Sequence, residues 1–409
     1  MMETKDVLVA GGGIAGLAFA LAVRRAAPSA RVTVADPGFA ASSEAPRTLR
    51  SVAVAAGSRR FLDGLGAWGS VAASAQPMVE MVITDSREDD APRPVFLDFD
   101  GEVAPDEPFA HMVFQHDLHD SVLAAARAAG VELVAERVTG FRQDGRGLPS
   151  VAAGALSLRT RLLVAADGGR SRLREAAGIA TVGWDYDQSG IVATLSHEIP
   201  HDGRATQHFL PGGPLAILPM RAADGSERRF SLVWSVPHAE AARLVALSPA
   251  DFTAALEERI GFAYGALMLE DRPAAYPLRL VLPRRLVGPR FALLGDAART
   301  IHPLAGQGLN LGLRDSAALA EAVIEPLRLG LDPADPHALS AYERARRFDA
   351  VLMAGTTDAL NRLFSNDSLP ARVLRDVGMG LVDRVPALKQ LFVRDASGLS
   401  GAVPDRFKQ

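Results

Sequence analysis

Gly11, Gly13 and Gly16 form a Gly-x-Gly-x-x-Gly turn, the spacing in this chain that most directly implies chemistry. The first glycine of such a turn permits a tight bend, the second lets the backbone approach a pyrophosphate, and the third lets a helix pack closely on a strand. Ile14 and Ala15 complete the turn and open the helix. Amides at a helix start, reinforced by the helix dipole, attract phosphate. Asp36 follows Gly16 by 20 residues, the distance expected of a carboxylate that accepts from a ribose hydroxyl. Alone, the glycine pattern is ordinary turn chemistry; with a strand before it, a helix after it and Asp36 beyond, it predicts a dinucleotide site. Whether the dinucleotide carries flavin or nicotinamide stays open on this segment.

Two later segments carry further candidates. Asp167-Gly168-Gly169-Arg170-Ser171-Arg172-Leu173-Arg174 follows the apolar run Leu162–Ala166, and in isolation it reads equally as a turn with a helix cap. Leu294-Gly295-Asp296-Ala297-Ala298 runs through His302-Pro303 to Gly306-Gln307-Gly308-Leu309-Asn310-Leu311-Gly312. Each glycine costs about 1 kcal/mol in a helix interior. The glycines here therefore predict a backbone passing close to a flat ligand, just before a helix over Leu311–Val323 whose N-terminus would stabilise negative charge on that ligand.

The elements that must position these residues follow from periodicity. Val7-Leu8-Val9-Ala10 reads as a buried parallel strand, Leu17–Ala27 as a helix, and Arg31–Asp36 as a second strand, which makes one nucleotide-binding unit. Residues 49–70 read as a helix and its exit, 79–99 as strands, 116–129 as an amphipathic helix, 131–141 as one strand and 151–166 as a hairpin. Residues 182–275 carry repeated strand signals with Gly/Pro turns and predict a mostly antiparallel sheet inserted into the nucleotide-binding domain. Phe291–Leu294 returns to the α/β pattern, and 340–395 reads as helical. Within that tail Leu374, Val377, Leu381, Val385 and Leu388 recur on one face of a helix over Val373–Phe392. Core docking or dimer contact is the expected use, with a membrane-surface role as the alternative.

Composition bounds the function. The 409 residues are 48% hydrophobic and 22% charged, as in an ordinary globular enzyme. A net charge of −4 leaves no basic excess to neutralise phosphates, so no nucleic-acid partner is expected. The absence of cysteine excludes disulfides, thiolate nucleophiles and Cys-ligated metals. No Gly-x-Ser-x-Gly elbow supports a hydrolase. No signal peptide or membrane span is read; a cytoplasmic protein, peripheral at the inner membrane face if it meets a membrane, is expected.

The order and spacing of Gly11–Gly16, Asp167-Gly168 and Gly295-Asp296 resemble the flavoprotein aromatic hydroxylases of the para-hydroxybenzoate hydroxylase fold. Nearer still is a resemblance to the ubiquinone-biosynthesis hydroxylases that oxidise prenylated phenols. It spans nearly the whole chain, and includes Phe209–Pro219, Leu232-Val233-Trp234, Gly306–Asp315 and the tail residues Leu363–Asp367 and Leu374–Asp376. It implies an α/β fold with a Rossmann-like FAD domain (1–75, 100–180 and 276–335), an inserted mixed-sheet substrate domain (76–99 and 181–275) and a C-terminal helical segment (336–409). It also implies FAD as cofactor, NAD(P)H as electron donor, O2 as co-substrate, and hydroxylation of a phenol ring by way of a flavin C4a-hydroperoxide.

Carried over residue by residue, the resemblance implies that Arg50 contacts the flavin side of FAD and that Gln115 reaches its phosphate or ribityl region. Val138 would offer its backbone to the adenine, and Asp167 and Gly168 would support the pyrophosphate and the nicotinamide donor. Gly295 and Asp296 would meet the ribityl chain, Asp296 as acceptor. Gly306, Gln307, Gly308, Leu309 and Asn310 would line the isoalloxazine edge. Leu215, Ile217 and Pro219 are expected in the wall of an apolar substrate pocket. His302 and Pro303 fall near the flavin in the family, but a lone His is more often structural; no acid–base pair and no metal site are assigned. Arg299 departs from the family, many of whose members carry His there, and it reads equally as a surface exchange. A prenylated phenol is the expected substrate, with other quinone-biosynthesis proteins, the membrane surface and a second copy of the chain as candidate partners. A hydroxylase of a small soluble phenol, a flavin reductase or dehydrogenase, and a non-catalytic FAD-binding subunit remain the alternatives.

Overall fold

The computed structural model describes residues 3–40, 48–85, 95–100, 102–145, 147–210, 212–301, 307–364, 397–399 and 404–405. Strand β1 (Thr4–Ala10) leads into helix α1 (Ile14–Ala26), then β2 (Val32–Ala35), β3 (Ser51–Ala55) and α2 (Ala56–Gly64). Strands β4 (Gln76–Met78), β5 (Glu80–Asp85) and β6 (Val95–Asp100) follow, with a small hairpin of β7 (Glu102–Ala104) and β8 (Glu107–Pro108), and then β9 (Ala110–Phe114). Helix α3 (Gln115–Ala128) precedes β10 (Glu132–Val134), β11 (Val138–Arg142), β12 (Ser150–Ala153), β13 (Leu156–Ala165) and the short α4 (Arg172–Ala176). The long β14 (Thr181–His197) opens the next group, with β15 (Arg204–Leu210), β16 (Gly213–Met220), β17 (Arg229–Pro237), α5 (His238–Val245), α6 (Pro249–Ile260), β18 (Leu267–Leu269) and β19 (Ala274–Pro283). Strands β20 (Val287–Gly288) and β21 (Phe291–Leu293) and helices α7 (Gln307–Arg328) and α8 (Pro336–Phe364) complete it.

Five strands run parallel in the order β10-β2-β1-β13-β21, with β12 and β11 added antiparallel along the first half of β13. Val7–Val9 and Leu162–Ala165 are fully buried, as expected of parallel strands covered on both faces. Helix α1 packs against α7 and α3, and α7 against α8. The second large sheet has the order β18-β14-β17-β16-β15-β5-β6, with β19 along β14; β15 and β5 run parallel and the other pairs are antiparallel. Its outer face is a core of its own, in which Ile191, Leu215, Ile217, Leu232 and Trp234 meet Leu244 of α5 and Phe252 and Leu256 of α6. A three-stranded sheet, β3-β9-β4, closes the molecule between the two, through Ala53, Met78, Met112 and Met220.

Several local expectations change. The helix read from residue 49 begins only at Ala56, because Ser51–Ala55 pairs antiparallel with Ala110–Phe114 as β3. The single strand read over 131–141 is two: β10 joins β2, and β11 lies at the far side of β13, against β12. Strand β19 runs through the expected boundary at 275–276, keeping register with β14 as far as Thr181↔Pro283. The helix expected from Leu311 starts at Gln307, so Gly308 and Gly312 lie inside it. The expected helix Val373–Phe392 and the tail residues Ser365–Asp367 lie outside the described residues.

Candidate functional site

A cavity of about 510 Å³ opens between the N-terminus of α1 and the inner face of the second sheet. At one end its wall is Gly13–Gly16, Gly168, Gly295 and Asp296. At the other it is Val192, Thr206, Ala216, Leu218, Val233 and Leu278, from five adjacent strands of the sheet. Arg50, Gln115 and residues 307–312 join the two ends.

The three glycines of the first turn have three different jobs. Gly11 has φ +116°, and a Cβ there would lie 2.1 Å from the Ala166 carbonyl oxygen. A Cβ on Gly16 would lie 2.3 Å from the Gly11 oxygen, so the helix start rests directly on the strand end. Gly13 is exposed and a Cβ there would touch nothing within 4 Å, so the turn faces open space at this residue alone of the three. Helix α1 has no side-chain cap and no acid in its first turn, which leaves its leading amides for a ligand. Asp36 holds the turn from the side: its carboxylate accepts from Gly12 N at 2.8 Å and from Gly38 N at 2.7 Å.

Ala15 is where the chain's distant segments meet. Its carbonyl accepts from the Ser316 hydroxyl at 2.8 Å, and the Cβ positions of Gly295 and Gly312 lie 3.3 and 3.4 Å from its methyl. Larger residues at either glycine would push α7 and the Gly295 turn away from α1. The glycines of this segment therefore serve two ends. Gly312 allows helix-to-helix contact inside α7, whereas Gly308 is exposed and a Cβ there meets nothing within 4 Å. Asn310 is buried, donating to Ala53 O and accepting from Ala55 N, both at 2.9 Å, which pins the start of α7 to β3. Gln307 and Leu309 also face the cavity; His302, Pro303 and Gly306 lie outside the described residues.

Asp296 is exposed into the cavity, yet protein surrounds the space into which it points. That burial raises its carboxyl pKa, Arg50 and Arg299 pull it down, and Asp315 pushes it up. Arg50 lies with its guanidinium 5.6 Å from the Tyr276 ring, both residues in the cavity wall. Asp167 is turned elsewhere: one carboxylate oxygen accepts from Leu173 N at 3.3 Å, and the other is buried without a partner. Ser171 caps α4 by accepting from Arg174 N, so the turn-and-cap reading holds for the geometry of this segment. Arg174 then ties it to the Gly295 turn by donating to Gly169 O and Ala297 O.

The structure does not bring every expected residue to the cavity. Gly11, Asp36, Val138 and Asp167 stand outside its wall, and Val138 is buried in β11. The strand expected to wall a substrate pocket does border the cavity, but through its other face. Leu215 and Ile217 point into the outer core, and Pro219 shares their side by strand alternation. Ala216 and Leu218 face the cavity instead. Both faces of β16 are apolar, so hydrophobicity alone carried no facing information. Arg299 is no surface exchange either: it is 3% exposed and pairs with Asp315 at 2.5 Å. His119, given no role from sequence, donates to Gly12 O at 2.8 Å and braces the first turn from α3. Nothing in its spacing marks it.

Comparison with known proteins agrees with this geometry. Residues 4–354 match the model of a family described as FAD binding domain. A ubiquinone hydroxylase UbiL of Rhodospirillum rubrum is 40% identical over 405 residues, covering 97% of this chain and 90% of that protein. A 3-demethoxyubiquinol 3-hydroxylase of Escherichia coli is 30% identical over 406 residues, covering 97% of this chain and 99% of that protein. Among solved structures, p-nitrophenol 4-monooxygenase PnpA of Pseudomonas putida has a TM-score of 0.78 at 21% identity, covering 98% of this chain and all of that one. This last likeness is one of fold.

Proposed function

The chain belongs to the FAD-binding-domain family, and on that premise we propose that it is an FAD-dependent monooxygenase that hydroxylates the aromatic ring of a phenolic precursor in ubiquinone biosynthesis. The observation that carries the reading is the two-ended cavity, with uncapped helix amides and Asp296 at one end and an apolar sheet face at the other. The residues present fit FAD. Gly13 and Gly308 are both exposed with open space where a Cβ would stand, and Asp296 accepts no hydrogen bond from a described residue.

In this reading the amides of Ile14–Gly16 take the pyrophosphate, Asp36 the adenosine ribose and Asp296 a ribityl hydroxyl. Gly308 and Leu309 border the isoalloxazine, and Asn310 keeps that border fixed to β3. FAD supplies electron transfer from a nicotinamide donor and the activation of O2. Val192, Ala216, Leu218, Val233 and Leu278 keep water from the reacting end and present an apolar wall to the substrate. Among the described residues no helix is long and apolar enough to cross a membrane, and a lipid-like substrate would be drawn from a membrane surface.

We infer further that the phenol carries a prenyl tail. Each buried methylene contributes about 0.8 kcal/mol, so kcat/KM is expected to rise steeply over the first prenyl units and then level off. The purified protein should be yellow, with about one FAD per chain. Oxygen consumption coupled to product, measured across phenols with zero to several prenyl units, tests both parts. Equal kcat/KM for tail-less and prenylated phenols would remove the tail. Oxygen use without hydroxylated product would remove the monooxygenase, and a colourless protein that cannot be reconstituted with FAD would remove the whole reading.

A further inference from the structure

Arg299 sits in the cavity wall between Asp296 and α7, and it is the cavity-facing member of a buried charge cluster. Its Nη2 pairs with Asp315 Oδ1 at 2.5 Å, and the same oxygen accepts from Arg346 Nε at 2.7 Å. Arg346 also pairs with Asp349 at 2.6 Å, and Asp349 with Arg314 at 3.3 Å. All five side chains are at most 8% exposed. One oxygen of Asp315 is thus shared between Arg299 and Arg346, and Asp349 lies on the far side of Arg346 from Arg299.

Buried ions are normally paired one for one and fully hydrogen-bonded, because desolvation is costly. Among the described residues Nε and Nη1 of Arg299 are buried with no hydrogen-bond partner, as are Oδ2 of Asp315 and Nη2 of Arg346. Of these three residues Arg299 is the one that stands in the cavity wall. Its field is felt there, since Arg299 is one of the two arginines that lower the pKa of Asp296. A fold that only needed to fill this space could do so more stably with an apolar side chain.

We propose that Arg299 is a redox-tuning residue, whose buried charge stabilises reduced, anionic flavin relative to oxidised flavin in this cavity. The inference rests on the FAD reading above. Hydride from the nicotinamide donor brings two electrons and one proton to a neutral ring system, leaving one net negative charge on it. A fixed cation in a low-dielectric wall favours the charged form over the neutral one. Asp315 and Arg346 act as positioning residues that keep the guanidinium from turning away.

The test is the two-electron reduction potential of the FAD-loaded protein, measured anaerobically by dye equilibration without aromatic substrate. A failure to hydroxylate therefore leaves this measurement intact, and the two readings fail separately. Arg299→Met is expected to keep FAD while shifting the reduced-to-oxidised ratio at least tenfold toward oxidised, about 30 mV for a two-electron couple. Arg299→Lys, which keeps the charge, should stay within threefold of wild type. Asp349→Asn, which removes a negative charge without touching the Arg299 pair, should shift the ratio the other way. Opposite signs for Met and Asn are not expected of a merely structural role. A potential unchanged in Arg299→Met would overturn the proposal. If that variant fails to hold FAD, Asp349→Asn decides alone, with no rise overturning it.

Discussion

A Cβ placed on Gly16 would meet the Gly11 carbonyl oxygen at 2.3 Å, whereas one on Gly308 meets no atom of a described residue within 4 Å. The two glycines should therefore fail differently when substituted. Gly16→Ala forces backbone apart at the sheet–helix junction and should lower stability by roughly 1–3 kcal/mol, with or without cofactor. Gly308→Val meets none of the described residues, so the FAD-free protein should melt at the wild-type temperature or slightly above it. With the cofactor the branched side chain competes for its space, and FAD affinity should fall more than tenfold with hydroxylation lost. Melting curves of FAD-free and loaded proteins separate the cases, and wild-type FAD affinity in Gly308→Val would move that turn away from the ring. The glycine triplet was legible in the sequence because an apolar strand precedes it, a helix follows it and Asp36 stands 20 residues beyond Gly16. Arg299 was not, because a buried arginine and a solvated one look alike until the partner 16 residues away is folded beside it.

At the scale of one element, strand β16 turns adjacent residues to a core on one side and to the cavity on the other. Ile217 is 1% exposed beneath α5 and α6, while Leu218 borders the cavity. Ile217→Ala should cost about 2–4 kcal/mol by leaving a void in the outer core, without changing the order of preference among prenylated phenols. Leu218→Trp should cost little stability and should shorten the longest tail accepted. Denaturant unfolding and the kcat/KM series check the pair; tail preference following Ile217 rather than Leu218 would reverse the assigned faces. The position of this strand could be read from its apolar run and flanking turns. Its facing could not, because a strand that carries a core on one side and an apolar cavity on the other shows no alternation. The βαβ unit at the N-terminus is easier for the opposite reason: its strands are buried on both sides, so facing is immaterial.

For the molecule as a whole, acid sensitivity follows from buried imidazoles. Burial, with the Arg59 charge beside it, holds His111 down at about 4, and His197 and His201 are also lowered by burial. A folded-state pKa below the unfolded value of about 6.5 means that the unfolded chain takes up protons first as pH falls. Stability is therefore complete above about pH 6.5 and declines toward pH 4, by roughly 3 kcal/mol for His111 alone. His111→Gln should flatten that decline in denaturant titrations between pH 7 and pH 4; an unchanged slope would place the ring in water. Fold class was readable at this scale from the order of periodic segments. Which distant segments join was not, since β1 meets β13 at Ala10↔Ala165 and β13 meets β21 at Ala165↔Leu293. Even Ser397, near the end of the chain, accepts from Gly57 N. That long-range closure sets a timetable for the nascent chain. At about 5–20 residues per second, a ribosome needs roughly 15–60 s to pass from β1 to β21. For about the first half of that interval β1 waits with an apolar edge uncovered until β13 arrives, and for the second half the end of β13 waits in turn for β21, each a natural client for chaperones near the exit tunnel.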